Sequence, residues 1–294
     1  MPKRRLILGI LALGILAALI FALTRSREPR YHGRPLSYWV QSASLLNLQG
    51  KPIEPEAPQA IRQIGTKAIP FLIGWLHYED HPPRFNFVDR LAAQADARLG
   101  WKKARWDRMV TARRAFYYLG TQGKPAIPEL VRMINEPTGT ETAIAAADAL
   151  AYVGTEETLP PLMALLTNQN NPAHAASAFL VSRFGTNAVP AIPALLACLQ
   201  EPNEQASRNA AVALGILHAK PDLVVPALAT NLNHPDTLTR KQAARALGRF
   251  GPEARPAVTE LVLTLQDNEQ TVREAATNAL LLIAPEALTN APSK

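Results

Sequence analysis

A short phrase that recurs about every 33 residues constrains the fold of this chain more than any other feature. The phrase reads Ala-Leu-x-x-apolar-Gly, and a proline follows it within five to eight residues. Its last position falls at residues 120, 154, 185, 218, 251 and 284, which gives steps of 34, 31, 33, 33 and 33. A repeat of this length predicts a solenoid, in which each unit covers the apolar face of the next.

Each unit reads as two helices joined by a turn. Apolar residues between 236 and 266 fall at helical spacing in two runs, which predicts two amphipathic helices. Gly251 separates the runs and suits a helix end, because glycine adopts a left-handed conformation without steric cost. Pro252 and Pro256 cannot continue the first helix but fit the first turn of a second one. Because no run of alternating β-branched residues is present, we expect no strands and an all-α solenoid of about six to seven hairpins.

Three sets of positions are expected to define these hairpins. Five glycines end the first helices: Gly65, Gly120, Gly154, Gly185 and Gly251. Four alanines lie five residues before such an end and let neighbouring helices approach closely: Ala149, Ala213, Ala246 and Ala279. Prolines mark the start of the second helices: Pro70, Pro128, Pro160, Pro190, Pro226 and Pro256. His218 and Ala284 replace the terminal glycine in two copies, and Leu180 replaces the alanine in a third, so that hairpin is expected to pack differently.

These units resemble HEAT repeats over about residues 54–285. Asp236 with Arg240, and Asp267 with Arg273, precede the alanine as in the short variant first described in phycobilisome lyases. The resemblance implies a right-handed superhelix whose second helices line a concave surface, and it implies protein binding rather than catalysis. Because the lyases use such repeats to handle a tetrapyrrole, a lyase-like or enzyme-accessory role is the alternative.

The N-terminus predicts a membrane anchor. Residues 6–23 are 18 consecutive apolar, alanine or glycine residues, just long enough to cross a bilayer, and basic residues precede them. We expect residues 1–5 to form a cytoplasmic tail, residues 6–23 an uncleaved signal-anchor and residues 24–34 a solvated linker. The bulk of the chain would then lie on the periplasmic or extracytoplasmic side. The alternative is a secreted protein released by signal cleavage.

The charge distribution does not favour nucleic acid as a partner. The formal net charge is +7, yet residues 115–294 carry 12 basic against 16 acidic groups. The excess positive charge lies in residues 1–34, with seven basic and one acidic group, and in residues 84–114, with nine and three. The first cluster is accounted for by anionic lipid headgroups beside the predicted anchor.

Six of the nine basic residues of the second cluster lie in an insertion at about residues 79–105, where the step from Gly65 to Gly120 is 55 residues. A capping helix is expected at 35–53, whose Gly-x-Pro-Leu-Ser-x-Trp opening is similar to that of membrane-attached bacterial HEAT proteins, and a disordered tail at 286–294. Aromatic and basic residues of the insertion form a candidate partner-binding patch, because such residues dominate binding hot spots. An alternative is that the aromatic residues form core and the cations are merely solvated. The patch comprises Arg84, Arg90, Arg98, Trp101, Lys102, Lys103, Arg105 and Trp106.

No residue pattern predicts catalysis. His77 and His81 have metal-ligand spacing, but Pro82 ends the helix there and no third ligand is placed, so we expect no metal site. Cys198 is the one cysteine and reads as a small buried apolar residue. The sequence therefore predicts a membrane-tethered scaffold for a protein partner, without cofactor or enzymatic activity. A structural envelope protein that binds only its own copies is a further alternative.

The insertion patch can be tested by charge reversal. If it binds a partner, Lys102→Glu, Lys103→Glu and Arg105→Glu together should weaken that binding, because attractive charges across the interface become repulsive. Capture from native envelopes and binding to anionic liposomes measure the effect, with deletion of residues 79–105 as the limiting case. Unchanged binding in both assays would exclude the patch.

Overall fold

This computed structural model describes residues 28–45, 50, 52–77 and 101–289, apart from the side chains of residues 101–105 and 289. The predicted tail, membrane span and most of the insertion lie outside these residues. Within them, a small β-ribbon and one helix precede a row of helix pairs.

The ribbon corrects the expectation that the chain has no strands. Strands β1 (Arg30–Tyr31) and β2 (Arg34–Pro35) pair antiparallel. His32 and Gly33 join them with φ values of 46° and 76°, the double positive φ of a two-residue hairpin turn. The Trp39 indole N–H donates to the Tyr31 carbonyl at 3.1 Å. Residues 28–34 therefore form hydrogen-bonded structure rather than the solvated linker expected from the sequence, because contacts with Ser37 and Trp39 of the following helix hold them.

Helix α1 (Leu36–Ser44) covers the start of the repeats, as predicted for a terminal cap. It buries Leu36, Trp39, Val40 and Ala43, and it packs against the first helices of the first two pairs.

The repeats are helix pairs whose first and second helices alternate along the chain. Their bounds are α2 (Ala57–Ile64) and α3 (Ile69–Leu76), α4 (Trp101–Leu119) and α5 (Ile127–Asn135), α6 (Thr140–Val153) and α7 (Leu159–Leu165), α8 (His174–Leu180) and α9 (Ile192–Cys198), α10 (Glu204–Leu217) and α11 (Pro221–Thr230), α12 (Thr237–Phe250) and α13 (Val258–Thr264), and α14 (Gln270–Ile283) and α15 (Glu286–Thr289). Helix α15 occupies residues that were expected in the disordered tail. It forms because α13 and α14 both pack against it.

The predicted ends of the first helices have the backbone conformation that glycine favours. Gly65, Gly120, Gly154, Gly185 and Gly251 all have φ between 50° and 65°. His218 also adopts the left-handed region, with φ 45°. Ala284 instead has φ −158° and ψ 77°, an extended backbone that any residue adopts.

The prolines follow the prediction only in part. Pro70, Pro128 and Pro160 lie in the first turn of a second helix, where the missing N–H has no intrahelical partner to lose. Pro190 and Pro256 instead lie in the 3-10 segments Val181–Ala191 and Gly251–Ala257 that precede α9 and α13. Pro226 lies inside α11, which corrects the expectation for that copy: an earlier proline, Pro221, already opens this helix.

Successive first helices share one hydrophobic core that extends from Leu36 to Ala284. The repeat alanines are buried where these helices meet. A Cβ added to Gly215 would lie 2.9 Å from the Cα and Cβ of Ala246 on the next first helix. The Leu180 copy differs in its first helix: α8 has 7 residues and continues directly as the 3-10 segment Val181–Ala191, whereas its neighbours α6 and α10 have 14 residues each.

Among the described residues, one segment, His174–Cys198, is long and apolar enough to cross a membrane by length and composition alone. It comprises α8, the 3-10 segment and α9, with Gly185 in a non-helical conformation between them. The segment is a helix pair of the solenoid, since its apolar residues belong to the shared core.

Replacing Gly215 by alanine should lower the stability of the fold. The added methyl group meets the backbone of α12, and overpacking of this kind costs about 1–3 kcal/mol, against at most about 1 kcal/mol of improved helix propensity. Gly74→Ala is the matched control, because no atom lies within 4 Å of its Cβ position in α3. Urea unfolding of both variants measures the difference. A Gly215→Ala protein as stable as Gly74→Ala would contradict the close approach.

Candidate binding surface

An aromatic and cationic cluster lies where the first helices of three successive pairs end. The Tyr117 and Tyr152 rings meet edge to face with centroids 5.7 Å apart. The guanidinium carbon of Arg183 lies 4.5 Å from the Tyr152 ring centroid. Tyr117 comes from α4, Tyr152 from α6 and Arg183 from the segment after α8, so stacking of the pairs brings them together.

These three side chains border an open surface cavity of about 350 Å³, which Glu156, Phe184 and Asn187 also line. Tyr117 is 56% exposed and Arg183 is exposed as well, whereas Tyr152 and Phe184 are half-buried. We call the side chains of Tyr117, Tyr152, Arg183 and Phe184 the aromatic edge. It combines fixed aromatic faces with a cation, which suits recognition of a carboxylate beside an apolar group.

Sequence reasoning missed the aromatic edge. Tyr152 occupies the second variable position of the repeat phrase, as Ile216, Arg249 and Leu282 do in later copies. Ile216, Arg249 and Leu282 are all exposed. The second variable position thus marks the outward side of these first helices, and comparing it across the copies would have found Tyr152.

A polar ladder forms at the turns between pairs. Arg240 contacts both carboxylate oxygens of Asp267, at 2.7 and 3.0 Å, and Arg208 contacts Asp236 at 2.8 Å. The hydrogen bond from Arg240 holds the pKa of Asp267 below its ordinary value. Burial acts to raise the pKa of Asp236, but the hydrogen bonds from Thr239 and Arg208 outweigh it, so this pKa is lowered too.

The carboxyl of Asp148 is an exception among these aspartates. Its partner Arg113 lies 2.8 Å away on the neighbouring first helix. Burial nevertheless raises the pKa of Asp148, and the attraction of Arg113 only partly offsets that effect.

We call each set of side chains that meet across one turn of the polar ladder a rung. The rung at the turn between the fourth and fifth pairs consists of His174, Cys198 and Glu201. The Nε2 atom of His174 lies 2.8 Å from a Glu201 carboxylate oxygen, and its Nδ1 lies 2.9 Å from the Leu165 carbonyl. Burial raises the pKa of the Cys198 thiol to about 12, and Glu201 adds to the effect. A thiol so protonated is a poor nucleophile, which agrees with the structural role expected of Cys198.

The structure describes few of the candidate partner-binding residues. Arg84, Arg90 and Arg98 lie outside the described residues. The backbone of residues 101–105 forms the start of α4, and Trp106 is 39% exposed on that helix. The insertion patch shares no residue with the aromatic edge, and it stays a prediction. His77 ends the described part of the first pair, and His81 lies outside it.

Comparison with known proteins agrees with this architecture. Residues 192–281 match the pattern of HEAT repeats, and residues 143–168 match the PBS lyase HEAT-like repeat. A crystal structure of a Kap121p mutant is similar over 87% of this chain and 30% of its own, at 14% identity and TM-score 0.55. The complex of CpcE and CpcF of phycocyanin lyase from Nostoc sp. covers 88% of this chain and all of that one, at 19% identity and TM-score 0.40. No curated protein matches by sequence.

The fold thus defines an all-α solenoid of paired helices. Residues 143–168 and 192–281 of this chain are HEAT repeats, the first of the PBS lyase type and the second of the general type. It spans less than a third of the length of Kap121p, so the likeness to that protein concerns the fold alone.

Removing the Asp267 charge should destabilise the protein in a pH-dependent way. Asp267→Asn should lower the free energy of unfolding by about 1–3 kcal/mol at neutral pH, since Arg240 loses its charged acceptor. The pKa of Asp267 is lower in the folded than in the unfolded chain. Its contribution is therefore present above the unfolded value of about 3.9 and is lost as pH falls through the folded value.

Urea unfolding at neutral and at strongly acidic pH measures this effect. Glu286→Gln is the control, because its pair with Arg255 is more than half exposed and should contribute at most about 1 kcal/mol. A loss for Asp267→Asn that is equally large in acid would contradict the assignment.

Proposed function

We propose that this protein is a membrane-tethered scaffold without catalytic activity, which binds a protein partner through the aromatic edge. The main observation in support of this proposal is that Tyr117, Tyr152 and Arg183, from three successive pairs, meet around one open cavity. Tyrosine and arginine supply much of the binding energy at protein interfaces. Edge-to-face and cation–π contacts already orient these side chains, which lowers the entropy lost on binding.

The chemistry of the aromatic edge selects a type of partner segment. Arg183 offers an exposed guanidinium with donors for a carboxylate, and the Tyr117 and Phe184 rings offer apolar surface beside it. A loop or peptide with an aspartate or glutamate next to an apolar side chain meets both requirements. Glu156 at the border disfavours a partner with uniform negative charge, which again speaks against nucleic acid.

The membrane part of the proposal depends on residues 6–23. Their uninterrupted apolar composition supports a signal-anchor that places the repeats on the extracytoplasmic side. A secreted form after cleavage is the alternative, and the mass of the mature N-terminus distinguishes the two.

An enzyme-accessory role is the second candidate function. The match of residues 143–168 to the PBS lyase HEAT-like repeat favours it, and that segment includes Tyr152. The lyase activity in the name of the phycocyanin lyase complex belongs to that complex. Co-expression with a chromophore acceptor should give no coloured adduct if our proposal is correct.

Site-specific photo-crosslinking tests the scaffold proposal. A crosslinker at position 117 in the full-length protein should capture a protein partner in the native envelope, whereas one at position 263 should not. Leu263 is a matched control, because it is 70% exposed but lies on α13, away from the aromatic edge. Tyr117→Ala with Arg183→Glu should reduce co-purification of the same partner by about tenfold or more. Equal capture at both positions, or a product that contains only this chain, would overturn the proposal and favour non-specific binding or self-association.

A further inference from the structure

We propose that His174, Cys198 and Glu201 bind one zinc ion at the turn between the fourth and fifth helix pairs. Their nearest ligand atoms, an imidazole nitrogen, a thiol sulfur and a carboxylate oxygen, all lie within 4.8 Å of one another. His174 begins α8, Cys198 ends α9 and Glu201 lies in the turn that follows.

The repeat itself shows that this rung is chemically distinct. His174 and Glu201 are 27 residues apart, as are Arg240 and Asp267 two pairs later. The later rung is an ion pair of a guanidinium and a carboxylate, which has no capacity to bind a metal through its cation. The earlier rung carries an imidazole in place of the guanidinium, and Cys198 stands where the later copy has Thr264. The two side chains that differ from the later rung, an imidazole and a thiol, therefore both ligate transition metals.

The hydrogen bonds orient the histidine as a ligand. The Leu165 carbonyl can only accept, so the 2.9 Å contact places a proton on Nδ1 of His174. Its Nε2 then faces a Glu201 carboxylate oxygen at 2.8 Å, and these two atoms need a proton or a cation between them. Metal-binding histidines generally donate their other ring N–H to a carbonyl or carboxylate, which is the arrangement seen here.

Charge balance favours a divalent ion in this rung. Without metal, one proton lies between His174 and Glu201, and a second is on the Cys198 thiol. Zinc replaces both: it forms bonds to Nε2, Sγ and a carboxylate oxygen, and two protons leave to solvent. The net charge of the cluster is unchanged, so the buried site gains a metal without gaining an uncompensated charge.

The ligand types select the metal and the coordination. Nitrogen, sulfur and oxygen together suit zinc, whereas calcium and magnesium require oxygen ligands alone. Tetrahedral zinc needs ligand atoms about 3.4–3.7 Å apart, so the side chains must move by about 1 Å or less. His174 and Cys198 are buried, while Glu201 keeps 10% of its side chain exposed and opens the site towards solvent. A water molecule would complete the fourth position.

Binding would connect the start of α8 to the end of α9. Helix α8 has 7 residues, whereas the first helices of the neighbouring pairs, α6 and α10, have 14 each. Zinc would therefore hold the two helices of this pair together at the end where α8 begins and α9 ends.

Metal titration of the full-length protein in detergent, after removal of bound metal with a chelator, tests this site. Cobalt chloride is the spectroscopic probe, because cobalt bound to a thiolate gives an intense near-ultraviolet charge-transfer band. We expect one equivalent to bind, with zinc chloride displacing it and raising the melting temperature. Cys198→Ser should remove the charge-transfer band, and both Cys198→Ser and Glu201→Gln should weaken zinc binding by at least about tenfold.

Two variants distinguish a loss of metal binding from a loss of folding. Glu201→Gln keeps a hydrogen bond to Nε2, and circular dichroism verifies that it is folded. His218→Gln is the matched control, because His218 also lies 3.0 Å from a glutamate, Glu253, but on the exposed surface. It should bind cobalt like the unmodified protein. Absence of a thiolate band in the folded protein, or zinc affinity that is unchanged in Cys198→Ser, would overturn the proposal.

Discussion

The close approach of the first helices of successive pairs is the constraint on which the rest of this structure depends. Ala246 lies against Gly215, and Ala279 lies against Gly248, with no room for a further methyl group at Gly215. Larger side chains there would push the helices apart and expose the core that each pair shares with the next. The same spacing lets Arg240 of one pair reach Asp267 of the next at 2.7 Å. Small residues thus set the helix spacing, and the spacing permits the polar ladder.

The turns between pairs and the turns within a pair, at the ends of the first helices, have different roles. Turns between pairs carry the ladder, where side chains of one pair satisfy charges and carbonyl groups of another. Ends of the first helices carry exposed residues that no repeat contact requires, and the aromatic edge lies there. Because the ladder is already satisfied internally, a partner gains little by contacting it. The proposed zinc site uses a ladder rung in which histidine, glutamate and cysteine replace the usual residues, so it modifies the framework rather than the binding surface.

The sequence predicted local features well where local sterics decide them. The helix ends at Gly154 and Gly251 followed from the cost of positive φ. The prediction for Pro226 was wrong because two prolines compete to open the same helix, and Pro221 comes first. The ribbon before α1 was missed since only two residues pair on each side, and the turn at His32 and Gly33 has no alternating apolar run beside it.

The sequence by itself determined the repeat length, the helical hairpin, the predominantly helical class and the ends of most first helices. These depend on residues a few positions apart, whose conformational preferences act within a single unit. Only the tertiary structure decided which distant side chains meet: Tyr117 with Tyr152, and His174 with Glu201 and Cys198. Those meetings depend on how far each pair is displaced and rotated from the last, a quantity set by packing across the shared core rather than by any local preference.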